Sequence, residues 1–231
     1  MKIAGIDGCK AGWFVVCQQG SRYRSFVASD FGEAARKLGD FDTIGIDMPV
    51  GIPDLGNREC EKLARRILSP RRTASVFSAP IRPLLGIEDY SEACELRFLL
   101  ENKRMSKQSF FIMHKIADVD RILRSRPDFG ERLHEVHPEV SFAALSGAPM
   151  THSKRSADGF DERLAELAAV YPGDALDEAL GAYPRGAVAR DDVLDAFAVL
   201  WSATRIARGA ATRLPDTPVY DNCGIDMAIW F

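Results

Sequence analysis

The chain has 231 residues, of which 46% are hydrophobic and 27% charged, and its formal net charge is −3. This composition is ordinary for a globular protein of one large or two small domains, and the negative charge argues against indiscriminate nucleic-acid binding. The five cysteines lack a C-x-x-C pair, no apolar run approaches the roughly 20 residues of a membrane span, and the first strand pattern leaves no room for a signal peptide. We therefore expect a cytoplasmic protein without disulfides, a zinc–thiolate site or a membrane anchor.

The N-terminal segment predicts a β-hairpin followed by a third strand. Residues 3–6 and 13–16 are short apolar runs, and turn-forming residues lie between them. The alternating segment 22–28 predicts the third strand. On this evidence alone, Asp7 either shapes its own turn or ends a central strand where a ligand can reach its carboxylate.

A helix and a fourth strand come next. Asp30 is the expected N-cap of the helix and Gly39 its expected C-cap. The fourth apolar run again ends in an aspartate, Asp47. A strand that follows a helix indicates a right-handed crossover, so we expect the fourth strand to run parallel to the first.

The remainder of the chain is mostly helical. Amphipathic patterns predict helices over 57–68, 90–102 and 109–124. Further helices are expected over about 157–170 and 191–208, and another begins near Pro138. Strands are expected at 133–136 and 225–230. Residues 69–83 form the one long irregular stretch, and ordered loops of this length are often functional.

Asp7 and Asp47 have the same setting, each at the end of an apolar strand. If the two strands are parallel neighbours, both carboxylates lie at the edge where open α/β sheets bind ligands. Two adjacent carboxylates resist ionising together unless a cation lies between them. The simpler alternative is that each is a turn aspartate.

The helix predicted over 191–208 contains further acids. Asp191 or Asp192 is a natural N-cap, whereas Asp195 lies one turn inside a segment that is apolar on nearly every side. A buried carboxylate needs a cation or strong hydrogen-bond donors, so we expect Asp195 to have such a partner. Asp192 and Asp195 share one helix face.

Residues 134–142 add Glu135, at a strand end, and Glu139, in the first turn of the next helix, where an acid is favoured in any case. His137 lies between them, but without a second spaced histidine a zinc hydrolase is not expected. The site candidates are therefore mainly carboxylates, and such hard oxygen ligands suit Mg²⁺ or Mn²⁺.

The irregular stretch and the segment after it are rich in cations. Arginine side chains recognise phosphates, and an aromatic residue such as Phe77 can stack on a base. Alternatively, these charges only solvate the surface. The candidate substrate-binding residues in or beside these two segments are Arg65, Arg66, Arg71, Arg72, Ser75, Arg82, Lys103, Arg104 and Lys107.

Five ordered segments, GIDGCKAGW, IGIDMPVGIP, RRTASVFSAP, EVHPEVSF and DDVLDAFA, resemble the signatures of a predicted-nuclease family named domain of unknown function 429. The resemblance runs almost from end to end. It implies an α/β domain of RNase H-like fold over residues 1–231, with three antiparallel strands followed by two parallel ones. A helical insertion over residues 55–130 would cover the carboxylate edge.

The resemblance also implies roles for individual residues. The basic loop of the family matches Arg71, Arg72, Ser75 and Arg82. One departure is Asp47, because junction resolvases of this fold often have glutamate there. The implied reaction is hydrolysis of nucleic-acid phosphodiesters with two ions roughly 4 Å apart. The ligands and catalytic acids would be Asp7, Asp47, Glu135, Asp192 and Asp195.

Two other functions remain open at the level of sequence. The hairpin that contains Asp7 also resembles the first phosphate loop of actin-like ATPases and sugar kinases. Those phosphotransferases need a second similar domain and a second glycine-rich loop, which this chain does not evidently contain. The other alternative is a non-catalytic module that binds nucleic acid or protein.

Overall fold

A mixed five-stranded sheet forms the centre of the computed structural model, which describes residues 1–231. The strands are β1 (Lys2–Cys9), β2 (Gly12–Gln19), β3 (Arg22–Ala28), β4 (Thr43–Ile46) and β5 (Leu133–Glu135). They lie in the order β3-β2-β1-β4-β5. The first three pair antiparallel, whereas β4 runs parallel to both β1 and β5. The predicted sheet of three antiparallel strands followed by two parallel ones is confirmed.

Ten α-helices accompany the sheet. They are α1 (Phe31–Lys37), α2 (Glu59–Ile67), α3 (Tyr90–Glu101), α4 (Lys107–Phe111), α5 (Met113–Ser125), α6 (Pro127–Gly130), α7 (Pro138–Ser146), α8 (Ala157–Ala168), α9 (Gly173–Gly181) and α10 (Arg190–Ala207). Two short 3₁₀ turns, Thr73–Ser75 and Arg82–Leu84, interrupt the irregular stretch 69–83. None of these helices has the length and apolar character needed to cross a membrane.

The two faces of the sheet are covered by different helices. Even-numbered residues of β1 and β4, such as Ile6 and Ile46, share a core with α1 and α5. The opposite face packs against α10, which contributes Ala196, Phe197 and Leu200 to a second core together with Ile3. Because side chains alternate along a strand, the odd-numbered positions of β1 and β4 face α10.

Several element boundaries differ from the sequence prediction. Asp30 caps α1 as predicted, by accepting the Glu33 N–H at 2.8 Å, but the C-cap is Leu38 and not Gly39. The helix predicted over 109–124 is divided at Ile112 into α4 and α5. Only Ile229–Trp230 of the strand predicted at 225–230 forms, as β7, and it pairs with an unpredicted strand, β6 (Arg213–Leu214).

The helix-capping prediction for Asp191 and Asp192 is wrong. Ala189 is the N-cap of α10, so both aspartates lie inside the first turn. Asp192 instead accepts a hydrogen bond from the Ala189 N–H at 3.0 Å. This bond satisfies a backbone donor before the helix, in the manner of the third helical residue of a capping box.

Candidate metal centre and adjoining cleft

The carboxylates of Asp7 and Asp47 lie side by side because β1 and β4 are in register. Ile6 is paired with Ile46, and the ladder continues for one more bond, in which the Asp47 N–H donates to the Ile6 carbonyl at 2.9 Å. Both aspartates therefore occupy the same row, at the carboxyl ends of two parallel strands. Their odd positions direct them toward α10.

Two glycines allow α10 to approach these strands closely. A Cβ atom on Gly5 would lie 2.3 Å from the Ala196 carbonyl oxygen and 2.5 Å from the Leu200 nitrogen. A Cβ atom on Gly45 would lie 2.7 Å from Val199 Cγ1. Because a side chain at Gly5 would overlap the α10 backbone and one at Gly45 would overlap the Val199 side chain, these glycines allow the short distance between α10 and the sheet.

The third carboxylate of the site comes from α10. Asp195, with 1% of its surface exposed, brings an oxygen to the two strand aspartates, and the three ligand atoms all lie within 4.8 Å of one another. We call Asp7, Asp47 and Asp195 the acid cluster. It joins residues 188 positions apart in sequence, as the sequence predicted for the first strand, the fourth strand and the late helix.

The acid cluster is electrostatically unfavourable when it is fully ionised. Burial, followed by the charge of Asp195, raises the pKa of Asp47 to about 8. Burial and the charges of Asp47 and Asp195 also raise the pKa of Asp7 well above its usual range. Burial raises the pKa of Asp195 as well, although the nearby ammonium of Lys154 opposes this effect.

Lys154 is the cation that partners Asp195. Its Nζ donates to Asp195 Oδ2, and the charge of Asp195 raises the pKa of this ammonium above its usual value, so Lys154 remains protonated. The other oxygen, Asp195 Oδ1, is buried and has no hydrogen-bond partner. Unpartnered buried polar atoms are uncommon and call for an explanation such as an ion.

The acid cluster fits a divalent cation in both charge and chemistry. Three ionised carboxylates with one lysine leave two negative charges uncompensated in a desolvated site. One divalent ion would balance them. All available ligand atoms are carboxylate oxygens, which Mg²⁺ and Mn²⁺ prefer.

The structure does not bring Glu135 into the acid cluster. Glu135 is paired with Ile46 across the sheet, so it shares the face of Ile46 and not that of Asp47. There it accepts the Val50 N–H at 2.7 Å and forms a two-pronged ion pair with Arg58, whose Nη1 is 3.1 Å from Oε1. Arg58 is 2% exposed, so this is a buried structural pair.

Asp192 lies near the acid cluster without belonging to it. Its carboxylate is held by the Ala189 N–H, and burial raises its pKa to about 6. Its charge contributes to the raised pKa of Asp7, which places it in the same electrostatic environment. Among the five predicted acids, three therefore converge and Asp192 lies nearby. Glu135 is paired with Arg58, although its charge also contributes to the raised pKa of Asp47.

A cleft of about 390 Å³ adjoins the acid cluster and is lined by Asp47 and Asp195. Two separate loops and α4 provide most of its other lining. The basic loop, residues 69–83, contributes Arg71, Arg72, Ala74, Ser75 and Phe77; the loop before α8 contributes Ser153, Lys154 and Arg155; and α4 contributes Gln108.

The predicted substrate-binding residues separate into two groups. Arg71, Arg72 and Ser75 line the cleft, but Arg72 Nε is 3.3 Å from Glu139 Oε2, and the Ser75 hydroxyl donates to the Arg72 carbonyl at 2.6 Å. Arg71 is exposed and forms no ion pair. Within this group, Arg71 is thus the cation free to meet a substrate.

Arg82 and Lys107 do not line the cleft. Arg82 is held by Asp120, with Nη1 2.6 Å from Oδ1, and by Asp221, and it also donates to the Ile52 carbonyl at 3.1 Å. These contacts attach the basic loop to α5 and to the C-terminal segment. Lys107 is the exposed first residue of α4.

Sequence reasoning missed Lys154, Arg155 and the role of Glu139. Glu139 is 4% exposed and accepts hydrogen bonds from Arg72 and from Arg163, whose Nη2 lies 2.6 Å away. It anchors the wall of the cleft. The burial of Asp195 predicted a cationic partner for its carboxylate. Nothing in the sequence indicated that this partner is Lys154.

Comparison with known proteins gives one match. A family model described as Protein of unknown function (DUF429) matches residues 5–219. No curated protein and no solved structure matches the chain significantly.

Proposed function

Since the chain belongs to the family described as Protein of unknown function (DUF429), which has no activity in its description, we propose from the site alone that the protein is a metal-dependent nuclease. The reaction would be hydrolysis of phosphodiester bonds in nucleic acid with Mg²⁺ or Mn²⁺. The observation that carries this proposal is the acid cluster, in which three desolvated carboxylates leave Asp195 Oδ1 without a partner.

The residues of the site would have separate roles in this reaction. Asp7, Asp47 and Asp195 would hold the cation, which supplies Lewis-acid polarisation of the phosphate and a lowered pKa of water. Lys154, already at the site, would remain protonated beside the incoming phosphate. Arg71, exposed on the cleft, would bind a phosphate oxygen without having to leave an existing ion pair.

The acid cluster would hold one cation. A two-ion centre would need further ligands, and Glu135 is occupied by Arg58 on the other face of the sheet. Asp192 is the acid best placed to contribute, because it lies one helical turn from Asp195. Its bond to Ala189 would have to open first.

The supporting evidence for a nucleic-acid substrate is local. With a net charge of −3, long-range attraction to a polyanion is weak, and binding depends on contacts in the cleft.

A cytoplasmic location is part of the proposal, because all five cysteines are unpaired and so suit a reducing compartment.

The test of this proposal is hydrolysis of bis(p-nitrophenyl) phosphate and of labelled DNA and RNA oligonucleotides in Mg²⁺ and in Mn²⁺. We expect metal-dependent turnover that is lost in Asp47→Asn and retained in Asp216→Asn. Asp216 is an exposed aspartate that does not line the cleft. If oligonucleotides bind but no metal supports hydrolysis, a non-catalytic module replaces the proposal. Turnover of ATP alone would favour a phosphotransferase.

A further inference from the structure

The cleft has room for about one nucleotide. Its volume of about 390 Å³ is near the lower end of sites that enclose small ligands, roughly 300–1,000 Å³. Asp195 is almost completely buried, so a phosphate must enter the cleft to come near it. A substrate therefore has to insert its backbone between the loops.

Two cations of the cleft are free to contact phosphates. Arg71 and Arg155 are both exposed, both line the cleft and neither forms an ion pair. They come from the two separate loops, so one strand passing through the cleft can meet one on each loop. The other two cations, Arg72 and Lys154, are already paired with Glu139 and Asp195.

Phe77 provides an apolar ring in the same cleft. It is partly buried, and its ring takes no part in the aromatic pairs or cation–π contacts of the fold. A base can stack on such a ring whatever its identity, because every base has a π-face. Stacking requires a base that is not already within a duplex stack.

Duplex DNA is poorly suited both to inserting its backbone between the loops and to offering an unstacked base to Phe77. Double-stranded DNA is stiff over about 150 base pairs, so it does not bend readily into a cavity of this size. Exposing one base costs a few kcal/mol of unstacking and unpairing. A single strand has neither cost.

We infer that the cleft binds single-stranded nucleic acid, with the base of one nucleotide stacked on Phe77 and the neighbouring phosphates contacted by Arg71 and Arg155. This inference rests on the proposed function and specifies its substrate class. It distinguishes a single-strand nuclease from one that acts on duplex or branched DNA.

The test is fluorescence anisotropy of labelled 20-nucleotide single strands, of DNA and of RNA, and of a 20-base-pair duplex, in Ca²⁺ over a salt series. We expect the single strands to bind more tightly than the duplex. Phe77→Ala should weaken single-strand binding roughly 5- to 150-fold, the range of base–aromatic stacking. Replacing both Arg71 and Arg155 with alanine should reduce the salt slope by about 1.4, since each single-strand contact contributes about 0.7.

Controls separate stacking from packing. Phe111→Ala removes an aromatic ring that is 67% exposed and outside the cleft, so it should not change binding. Phe77→Leu keeps the apolar volume and should lose binding nearly as Phe77→Ala does, whereas Phe77→Trp should retain it. Circular dichroism of each variant verifies that it is folded.

Two results would overturn the inference: duplex binding equal to or tighter than single-strand binding, or Phe77→Leu binding like the wild type. Hydrolysis of bis(p-nitrophenyl) phosphate distinguishes this failure from that of the proposed function. If that small diester is cleaved by the wild type and not by Asp47→Asn while duplex DNA is preferred, the nuclease stands and the single-strand inference is wrong.

Discussion

Asp47→Asn should stabilise the metal-free protein, and the gain should grow with pH. The ordinary pKa of an aspartate is near 3.9, and burial with the charge of Asp195 raises that of Asp47 to about 8. The folded state therefore holds the Asp47 proton more tightly than the unfolded state does. The stability from this group is fully present below pH 4 and is lost as the pH rises through 8.

The size of the stability gain follows from the difference between the folded and unfolded pKa values of Asp47. Each pH unit between the two pKa values costs up to 1.36 kcal/mol, so about four units give a ceiling of about 6 kcal/mol. Lys154 and proton sharing within the acid cluster reduce this figure. Asparagine has nearly the same shape and cannot ionise, so we expect no difference from the wild type at pH 4 and a gain of about 2 kcal/mol or more at pH 8.

The assay is urea denaturation of chelator-treated protein at several pH values between 4 and 8, with Asp216→Asn as the surface control. Mn²⁺ should then narrow this difference, because it stabilises the wild type by about 2.7 kcal/mol at 100 times its dissociation constant and the variant much less. If Asp47→Asn is less stable than the wild type at pH 8 without metal, the carboxylate has a favourable partner and the argument fails.

Three further predictions concern how the site is built. Gly5→Ala should lower the free energy of unfolding by about 3 kcal/mol or more, because its Cβ would overlap the α10 backbone, whereas Gly181→Ala, with open space around it, should be neutral or slightly stabilising in thermal denaturation. Arg58→Met should cost about 3–5 kcal/mol by leaving Glu135 buried and unpaired. Glu135→Gln should leave the Mn²⁺ affinity in calorimetry unchanged, and a complete loss of affinity in the folded variant would make Glu135 a ligand after all.

Much of the site could be predicted because its signals are local. Asp7 and Asp47 each follow an apolar run, and a helix between two strands favours a parallel crossover, so their proximity followed from chain order. Asp195 was detected because a carboxylate among apolar helix residues needs a partner. These patterns can be recognised in the sequence without knowledge of any long-range contact.

Glu135 shows what such reasoning lacks. Its position at a strand end matches that of Asp47, but the register pairs it with Ile46 and directs it to the opposite face. A shift of one residue reverses the face of every side chain in a strand, and register is set by packing that sequence alone does not reveal. Arg82 is a second case. It was predicted to bind phosphate, but it forms ion pairs with acids far away in sequence, in α5 and in the C-terminal segment.

Lys154 could not be predicted from its surroundings in sequence. It lies in a loop between α7 and α8, 41 residues before Asp195, and the packing of these two helices against α10 brings the two side chains together. Asp191 and Asp192 illustrate a local error, since the N-cap of α10 is Ala189, two residues before Asp191. Helix boundaries are less certain than helix existence.

The most direct test of the metal centre is a crystal soaked in MnCl₂ and measured at the manganese absorption edge. We predict an anomalous peak bound by the carboxylates of Asp7, Asp47 and Asp195, and its loss in Asp47→Asn crystals soaked in the same way. A wild-type map with no anomalous peak among these three side chains, and with Lys154 still bonded to Asp195, would contradict the account.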